Sequence, residues 1–448
     1  MRPRTPRALA LGWTGAATLA FDARRLQREH TLFVRFMPAY EGAYRGVVVS
    51  DSTGQYRLGM APYASLSQPA VEAHLGAEIV TAPLPDPILS NHDFRYGAPP
   101  QRAPRWLTLA LSLGAQHADL YLNGEALGTL KPAALSLAGP LRLGRLARAQ
   151  ALQDQFYGLI DDVAIFERAL SASEVRALSR AERVEPRLEG LLALVSFDDT
   201  ETSGAELAVE RIGAAQLVPV SKHRDVRADA AQLTHPLGAR RLELPFESGQ
   251  IWTVIQGANS AGSHHDTSAF AIDLQRVDPA LVHHNPERKS GGSALHSQGQ
   301  VIRAAAAGEV VAVVDCFAQR GRGTCVMDGS AAPEGERAWR NLVCVEHTPG
   351  DVGCYLHIEQ ARARVKRGAR VAAGAALASV GASGTQTAHL HLALSDRSEP
   401  NQPGTFSDLV TIPFELGPHE VSNDFGRSWQ RVDSALPRPG QWLRAVRP

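Results

Sequence analysis

No apolar run in the 448 residues approaches the roughly 18 to 20 that a membrane-spanning helix needs, so no transmembrane segment is expected. Charge of one sign is not in excess either. Lys plus Arg and Asp plus Glu number 46 each, which removes the globally basic footprint of a nucleic-acid-binding domain. Cysteine is scarce, at four, and the short CxxC knuckles of a four-thiolate zinc site do not occur. All four (Cys316, Cys325, Cys344 and Cys354) fall within 39 consecutive positions, at intervals of nine, nineteen and ten. A clustered, even number favours two disulfides and an oxidising compartment. Three connectivities exist for four cysteines, and Cys316–Cys325 and Cys344–Cys354 would each clip a local hairpin. No internal repeat long enough for a solenoid is present.

What is there is ordinary globular composition, 44% hydrophobic and 21% charged. At about 150 residues per domain, the length predicts two or three domains. Met1-Arg2-Pro3-Arg4 followed by Ala8–Gly12 superficially imitates a signal peptide. Its apolar run is interrupted and no small-residue cleavage site follows, so residues 8–21 are expected to form the first strand of a domain.

Residues 1–185 read as short strands divided by turns. Trp106–Leu113 alternates with period two, and Asp119–Leu122 runs into Asn123-Gly124, a strong hairpin signal. Pro140–Gly144 and Gly158–Phe166 supply further strands, as does Thr31–Pro38. Ser171-Ala172-Ser173-Glu174 is a capping box opening a helix onto Val175 and Leu178. This order resembles the laminin-G/concanavalin A-like jelly-roll family, with its "LYLNG" hairpin (Leu120–Gly124), its "LRLG" strand (Leu141–Gly144) and its closing segment Gly158–Glu174. The resemblance implies a β-sandwich that binds glycans, proteins or calcium through variable loops, or serves as a spacer. A binding or targeting module with a glycan ligand is the expectation. Asp161 and Asp162 could suggest calcium, although acids at a strand end more often satisfy backbone groups. Residues 186–240 are expected to be a linker, in which Leu191–Asp198 reads as an orphan strand pairing with either neighbour.

The second half centres on His389-Leu390-His391-Leu392-Ala393-Leu394. In a strand the three leucines would enter a core while His389 and His391 project from the other face, roughly 6.5–7 Å apart. Two such imidazoles can ligand a metal. A half-buried strand with two solvated histidines is the alternative, and upstream ligands decide between them. Ser263-His264-His265-Asp266 and Ala269–Leu274 lie upstream, and a carboxylate at Asp273 amid apolar residues needs a cation or an ion pair. Val301–Val313 reads as strand, turn, strand, and Asn341–His347 with Cys354–Ile358 frames a hairpin around Pro349-Gly350.

The succession resembles the LytM/lysostaphin-type zinc metallopeptidases, whose pattern runs His…Asp, "AA-x-x-G-x-V", "N-x-V-x-I-x-H", "Y-x-HL", "V-x-x-G-x-x-V-x-x-G", "G-x-(S/T)-G" and a final "HLH". Each has a counterpart in order across residues 241–397, and residues 398–448 resemble an extension packed on the peptidase domain. The fold so implied is mainly β: a concanavalin-like jelly roll followed by an antiparallel-β peptidase. Carried over by position, one zinc ion per chain would be held by His264, Asp273 and His391, with a fourth position for water. Zinc lowers the pKa of such a water toward about 7 and polarises the scissile carbonyl. His357 and His389 match the family's flanking catalytic pair, one as general base and the other stabilising the oxyanion or protonating the leaving amine.

Two features depart from the usual pattern. His264 and Asp273 are separated by eight residues rather than three, a spacing shared by a subgroup with "SH…(Y/F)A-(I/L/F)-D", and His265 is an alternative ligand. An insertion, Val277 to Gln298, carries His283, His284 and His296 and is a solvated loop or a substrate lid. His347 matches a hairpin position read as structural. The function implied is a periplasmic or secreted endopeptidase cutting peptidoglycan stem peptides or cross-bridges. A catalytically silent regulator of wall amidases and a secreted protease acting on proteins are the alternatives.

Overall fold

The computed structural model describes residues 7–11, 15–26, 28–38, 46–63, 68–84, 105–131, 137–146, 155–197, 209–212, 215–221, 240–258, 263–264, 268–278, 297–318, 326–327, 330–331, 340–396 and 410–446. The chain divides into two units, residues 1–88 with 102–239, and residues 89–101 with 240–448. Among the described residues no helix is long and apolar enough to cross a membrane.

In the first unit the strands are β1 (Arg7–Leu11), β2 (Ala16–Asp22), β3 (His30–Pro38), β4 (Gly46–Ser50), β5 (Tyr56–Tyr63), β6 (Gln68–Leu75) and β7 (Glu78–Pro83). They continue with β8 (Leu107–Leu113), β9 (Ala118–Leu122), β10 (Glu125–Leu130), β11 (Pro140–Leu143) and β12 (Gly158–Phe166). After helix α1 (Ala172–Arg180) come β13 (Leu191–Val195), β14 (Val209–Ile212) and β15 (Ala215–Pro219). One sheet runs β10-β9-β8-β3-β12-β1-β15 with β13 also on β12, and the other runs β14-β2-β11-β4-β5-β6-β7. Leu107, Leu109, Leu111 and Leu113, alternate residues of β8, enter one apolar cluster with Leu58, Met60, Val71 and Leu143 of the other sheet. Period-two patterning thus delivers the sandwich.

The expected single strand over residues 8–21 is two strands in different sheets, β1 on β12 and β2 on β11. Leu9 and Leu11 meet Ala17, Leu19 and Phe21 in the core, because the chain crosses from one sheet to the other between them. The span 186–240, expected as a linker with one orphan strand, supplies three. β13 pairs with β12, β14 with β2 and β15 with β1. The last two cap strands that would otherwise present bare backbone edges.

Asn123 and Gly124 both take positive φ at the β9–β10 turn, as the dipeptide predicts. Ser171 and Glu174 close the capping box of α1 reciprocally. Helix residues Val175 and Leu178 pack with Phe33, Ala110, Tyr121 and Phe166 in a second cluster. A buried arginine ties this helix down. Arg35 donates to Leu178 O at 3.2 Å, Ala181 O at 2.7 Å and Glu182 O at 2.8 Å, satisfying carbonyls at the helix end. The same guanidinium donates to Asp162 Oδ2 at 2.9 Å, which also accepts from Val184 N at 3.3 Å. Asp162 therefore serves backbone and arginine.

The second unit begins with β16 (Arg240–Leu242), β17 (Ile251–Gln256), β18 (Ile272–Val277), β19 (Val301–Arg303), β20 (Gly308–Val314), β21 (Val326–Met327) and β22 (Ser330–Ala331). Next are β23 (Leu342–Thr348), β24 (Asp351–Leu356), β25 (Arg370–Val371), β26 (Ala376–Ser379) and β27 (Leu390–Asp396). The tail holds β28 (Phe414–Leu416), β29 (His419–Ser422), β30 (Gln430–Val432) and β31 (Trp442–Ala445). Ten strands form one sheet, β25-β20-β23-β24-β27-β18-β17-β31-β29-β30. Cys344 and Cys354 face each other across β23 and β24 and are disulfide-bonded. Cys316 is also disulfide-bonded, and Cys325 lies outside the described residues.

Replacing Arg35 with Met should leave the buried Asp162 carboxylate without its guanidinium, costing about 3–5 kcal/mol in the stability of the first unit. Denaturant titration of the variant against the wild type measures this. A loss below about 1 kcal/mol would place the anchoring of α1 elsewhere.

Candidate metal centre

β24, β27 and β18 are consecutive in the middle of the ten-stranded sheet, with β17 next. Register brings the chemistry together. Asp273 of β18 stands directly opposite His391 of β27, and Leu356, the last residue of β24, stands opposite His391 from the other side. Directly opposed residues of antiparallel strands share a face, so the Asp273 and His391 side chains meet. Leu390, Leu392 and Leu394 are fully buried, as the alternation predicts. His389 lies one residue ahead of β27.

Three donor atoms converge. His391 Nδ1 lies 2.9 Å from Asp273 Oδ1, His264 Nε2 lies 3.2 Å from the same oxygen, and the two ring nitrogens are 3.2 Å apart. All three residues are buried, and the group has the donor types and spacing to hold a metal ion. His264 Nδ1 donates to Gly257 O at 3.0 Å, which leaves the lone pair on Nε2 facing the other two donors. His389 Nδ1 donates to Thr387 O at 2.9 Å, and its Nε2 lies 3.6 Å from Asp273 Oδ2. His357 Nδ1 donates to Ser383 O at 2.7 Å. The His357 ring is centred 4.6 Å from that of His389 and 5.8 Å from that of His391.

Burial alone would push the Asp273 carboxyl up. The facing His264 and His389, with the close contacts of His264 and His391, outweigh it and hold the group well below the usual carboxylate range. Burial holds His391 below the ordinary imidazole value, partly offset by Asp273. His357 is held well below that value, first by burial and then by His389 and His391. A cation is bound by the carboxylate form of an acid and the unprotonated form of an imidazole, and burial favours the latter at His391.

His357 has φ of 65°, a left-handed conformation unusual for a residue with a side chain. Its surroundings over-determine it. His357 O accepts from Gly381 N at 2.9 Å. Asn341 Nδ2 donates to Ile358 O at 3.2 Å and to Phe317 O at 2.8 Å, while Asn341 Oδ1 accepts from Phe317 N at 2.8 Å. Ser383 Oγ donates to Ile358 O at 3.0 Å and accepts from Asn341 N at 2.9 Å. Asn341 and Ser383 are fully buried.

All five residues expected at the site, His264, Asp273, His357, His389 and His391, are therefore neighbours. His265, His283, His284 and His296 lie outside the described residues. His347 is elsewhere, its Nδ1 bonded to Ala307 O at 3.2 Å. Sequence reasoning did not single out Gly257, which acts through its carbonyl. Gln275 was also missed; its Nε2 donates to Ala388 O at 3.0 Å, beside His389. Asn341 and Ser383 lie in the motifs read from the sequence, but with no role assigned.

Residues 14–176 match the family model of the concanavalin A-like lectin/glucanases superfamily, and residues 288–403 match that of Peptidase family M23. The chain thus combines a concanavalin-like N-terminal domain with an M23 peptidase domain. The M23 match begins after His264 and Asp273; sheet register brings Asp273 to His391, and His264 Nε2 lies 3.2 Å from His391 Nδ1. No curated protein matches the chain in sequence. A solved structure described as a candidate carbohydrate-binding protein from Bacteroides ovatus is 14% identical, with 49% of this chain covering 61% of that one at a TM-score of 0.37. The catalytic domain of a mutant of the prophage-encoded M23 protein EnpA from Enterococcus faecalis is 20% identical over 36% of this chain and 92% of that one, TM-score 0.22. The M23 metalloprotease pseudoalterin, from the deep sea, is 17% identical over 36% and 72% of the two chains, TM-score 0.23.

Substituting Asn341 with Leu keeps the volume but strands the buried N–H of Phe317 and weakens the hold on Ile358. A loss on the order of 3 kcal/mol is expected in the unfolding free energy of the second unit, followed by tryptophan fluorescence in denaturant. Near-wild-type stability would show that the His357 turn does not depend on this side chain.

Proposed function

We propose that the second unit is a zinc-dependent endopeptidase hydrolysing peptide bonds in bacterial peptidoglycan, in stem peptides or cross-bridges. The first unit is proposed to target it to wall glycan or another surface polysaccharide, in the periplasm or outside the cell. The observation that carries the catalytic reading is the buried triangle of His264 Nε2, Asp273 Oδ1 and His391 Nδ1, flanked by two further histidines. Tetrahedral ligand atoms about 2.0–2.1 Å from a zinc stand about 3.3 Å from one another. Edges of 2.9, 3.2 and 3.2 Å suit one face of such a tetrahedron. Two imidazoles and a carboxylate are also a ligand set that zinc takes in hydrolases. The M23 match and the LytM-type resemblance support the substrate class.

Zinc held there would supply Lewis acidity, acidifying a water and polarising the scissile carbonyl. The chain's own residues do the rest. Each of His357 and His389 has its Nδ1–H engaged by a main-chain carbonyl, so each presents Nε2 for proton transfer. One takes the proton of the attacking water. The other stabilises the developing oxyanion or protonates the leaving amine. Asp273 Oδ2 lies 3.6 Å from His389 Nε2. Disulfides at Cys344–Cys354 and Cys316 accord with an oxidising compartment.

Purified full-length protein should hold one zinc per chain by elemental analysis and release muropeptides from sacculi. His391→Ala should lose the metal. His357→Ala and His389→Ala should keep it and slow turnover by about 10²–10⁴-fold. Stoichiometric zinc without peptidoglycan cleavage would favour the amidase regulator, and cleavage of unrelated proteins instead would favour the general protease.

The targeting role has its own measurement. Zinc-loaded His389→Ala should cosediment with sacculi, and excess soluble wall glycan should release it. Binding undiminished by glycan counts against a carbohydrate-directed first unit.

A further inference from the structure

The tail beyond the M23-matched segment reaches the metal centre through backbone. Register pairs Ile251 with Arg444, Trp252 with Leu443 and Thr253 with Trp442, so β31 lies alongside β17. The ladder continues past the named strand. Val254 N donates to Gln441 O at 2.9 Å, and Gly440 N donates to Val254 O at 2.8 Å. Immediately beyond, β17 breaks step against β18 between Val254 and Gln256, so that Gln256 stands opposite Asp273. A bulge of this kind turns the following residues.

Those following residues hold His264 at both ends. Gly257 O takes the ring Nδ1–H at 3.0 Å. Oriented with its oxygen toward the loop, the Gln256 carboxamide accepts from the backbone N–H groups of Ser263 and His264, each at 3.1 Å. Buried Pro439 closes the other side of Gly257. A Cβ on Gly257 would stand 2.6 Å from Pro439 Cδ and 2.9 Å from Cγ, so the proline ring occupies the space any larger residue needs.

We infer that Pro439, Gly440 and Gln441 are positioning residues of the metal centre. They fix the end of β17, so that Gly257 O locks His264 in the tautomer that offers Nε2 to the cation. The inference rests on the zinc-site reading above and extends it to a segment outside the ligand motifs. None of these residues touches the metal ligands' donor atoms. Their effect passes through one carbonyl, and losing such an orienting bond typically costs about 10- to 100-fold in metal affinity.

Zinc affinity of the full-length chain, measured by competition with a chromophoric chelator, tests this without recourse to catalysis. Gly257→Ala should weaken zinc binding about 10- to 100-fold as the new methyl drives the carbonyl from His264. Gly257→Ala combined with Pro439→Ala removes Cδ and Cγ of the proline and should recover most of the affinity. Should Gly257→Ala alone fail to fold, the paired variant carries the test. Unchanged affinity in Gly257→Ala overturns the inference, as does a paired variant that does not fold or does not recover affinity. Absence of zinc from the wild type would instead overturn the zinc-site reading itself.

Discussion

Asp273 stands opposite His391 in an antiparallel ladder, and the rest of the second unit is arranged around keeping that pair in register. A slip of one residue would send the His391 ring to the opposite face and bring a leucine in its place. Burial on both faces makes the slip expensive. Leu390, Leu392 and Leu394 are each fully buried and would all be turned to the opposite face. Burial also sets the electrostatics. A carboxylate removed from water is costly unless opposed by charge or hydrogen bonds. Asp273 has three histidines around it, two of them presenting acceptor lone pairs that only a proton or a cation can satisfy together with the carboxylate.

The first unit solves the same problem differently. Asp162, also fully buried, faces the Arg35 guanidinium, whose remaining N–H groups close the end of α1. A guanidinium brings its positive charge permanently and in a fixed fork geometry. The imidazoles around Asp273 bring no such fork, and their nitrogens converge with the carboxylate in a group that could hold a cation. What stands opposite each buried acid separates an ion pair with arginine from a candidate metal site.

Local patterns were legible in the sequence, and remote backbone contacts were not. The alternation at His389–Leu394, the Asn123-Gly124 turn and the Ser171–Glu174 box each follow from neighbours in the chain, and the structure realises all three. Motif order also brought Asp273 and His357 into consideration with His391, although it could not supply the register that makes them meet. Leu191–Asp198 was legible as a strand, though its partner β12 was not, while β14 and β15 were hidden because each is short and partly exposed and takes its partner from far away in sequence. Gly257 was hidden for a stricter reason. It acts through a carbonyl, a group every residue possesses, and its constraint comes from a proline nearly two hundred positions later.

His357 shows how local strain and long-range support combine. A left-handed backbone at a residue with a side chain costs on the order of 1–3 kcal/mol, and it persists only where the surroundings insist on it. Here Gly381 holds the carbonyl of His357, Ser383 holds its ring, and Asn341 with Ser383 holds the next carbonyl. An extended His357 would continue β24 and carry its ring along the strand. The turn instead directs it back toward His389 and His391. Two motifs outside the candidate ligand set therefore set the angle at which a flanking histidine meets the centre. The cost of that geometry is borne by hydrogen bonds among buried groups that touch no ligand.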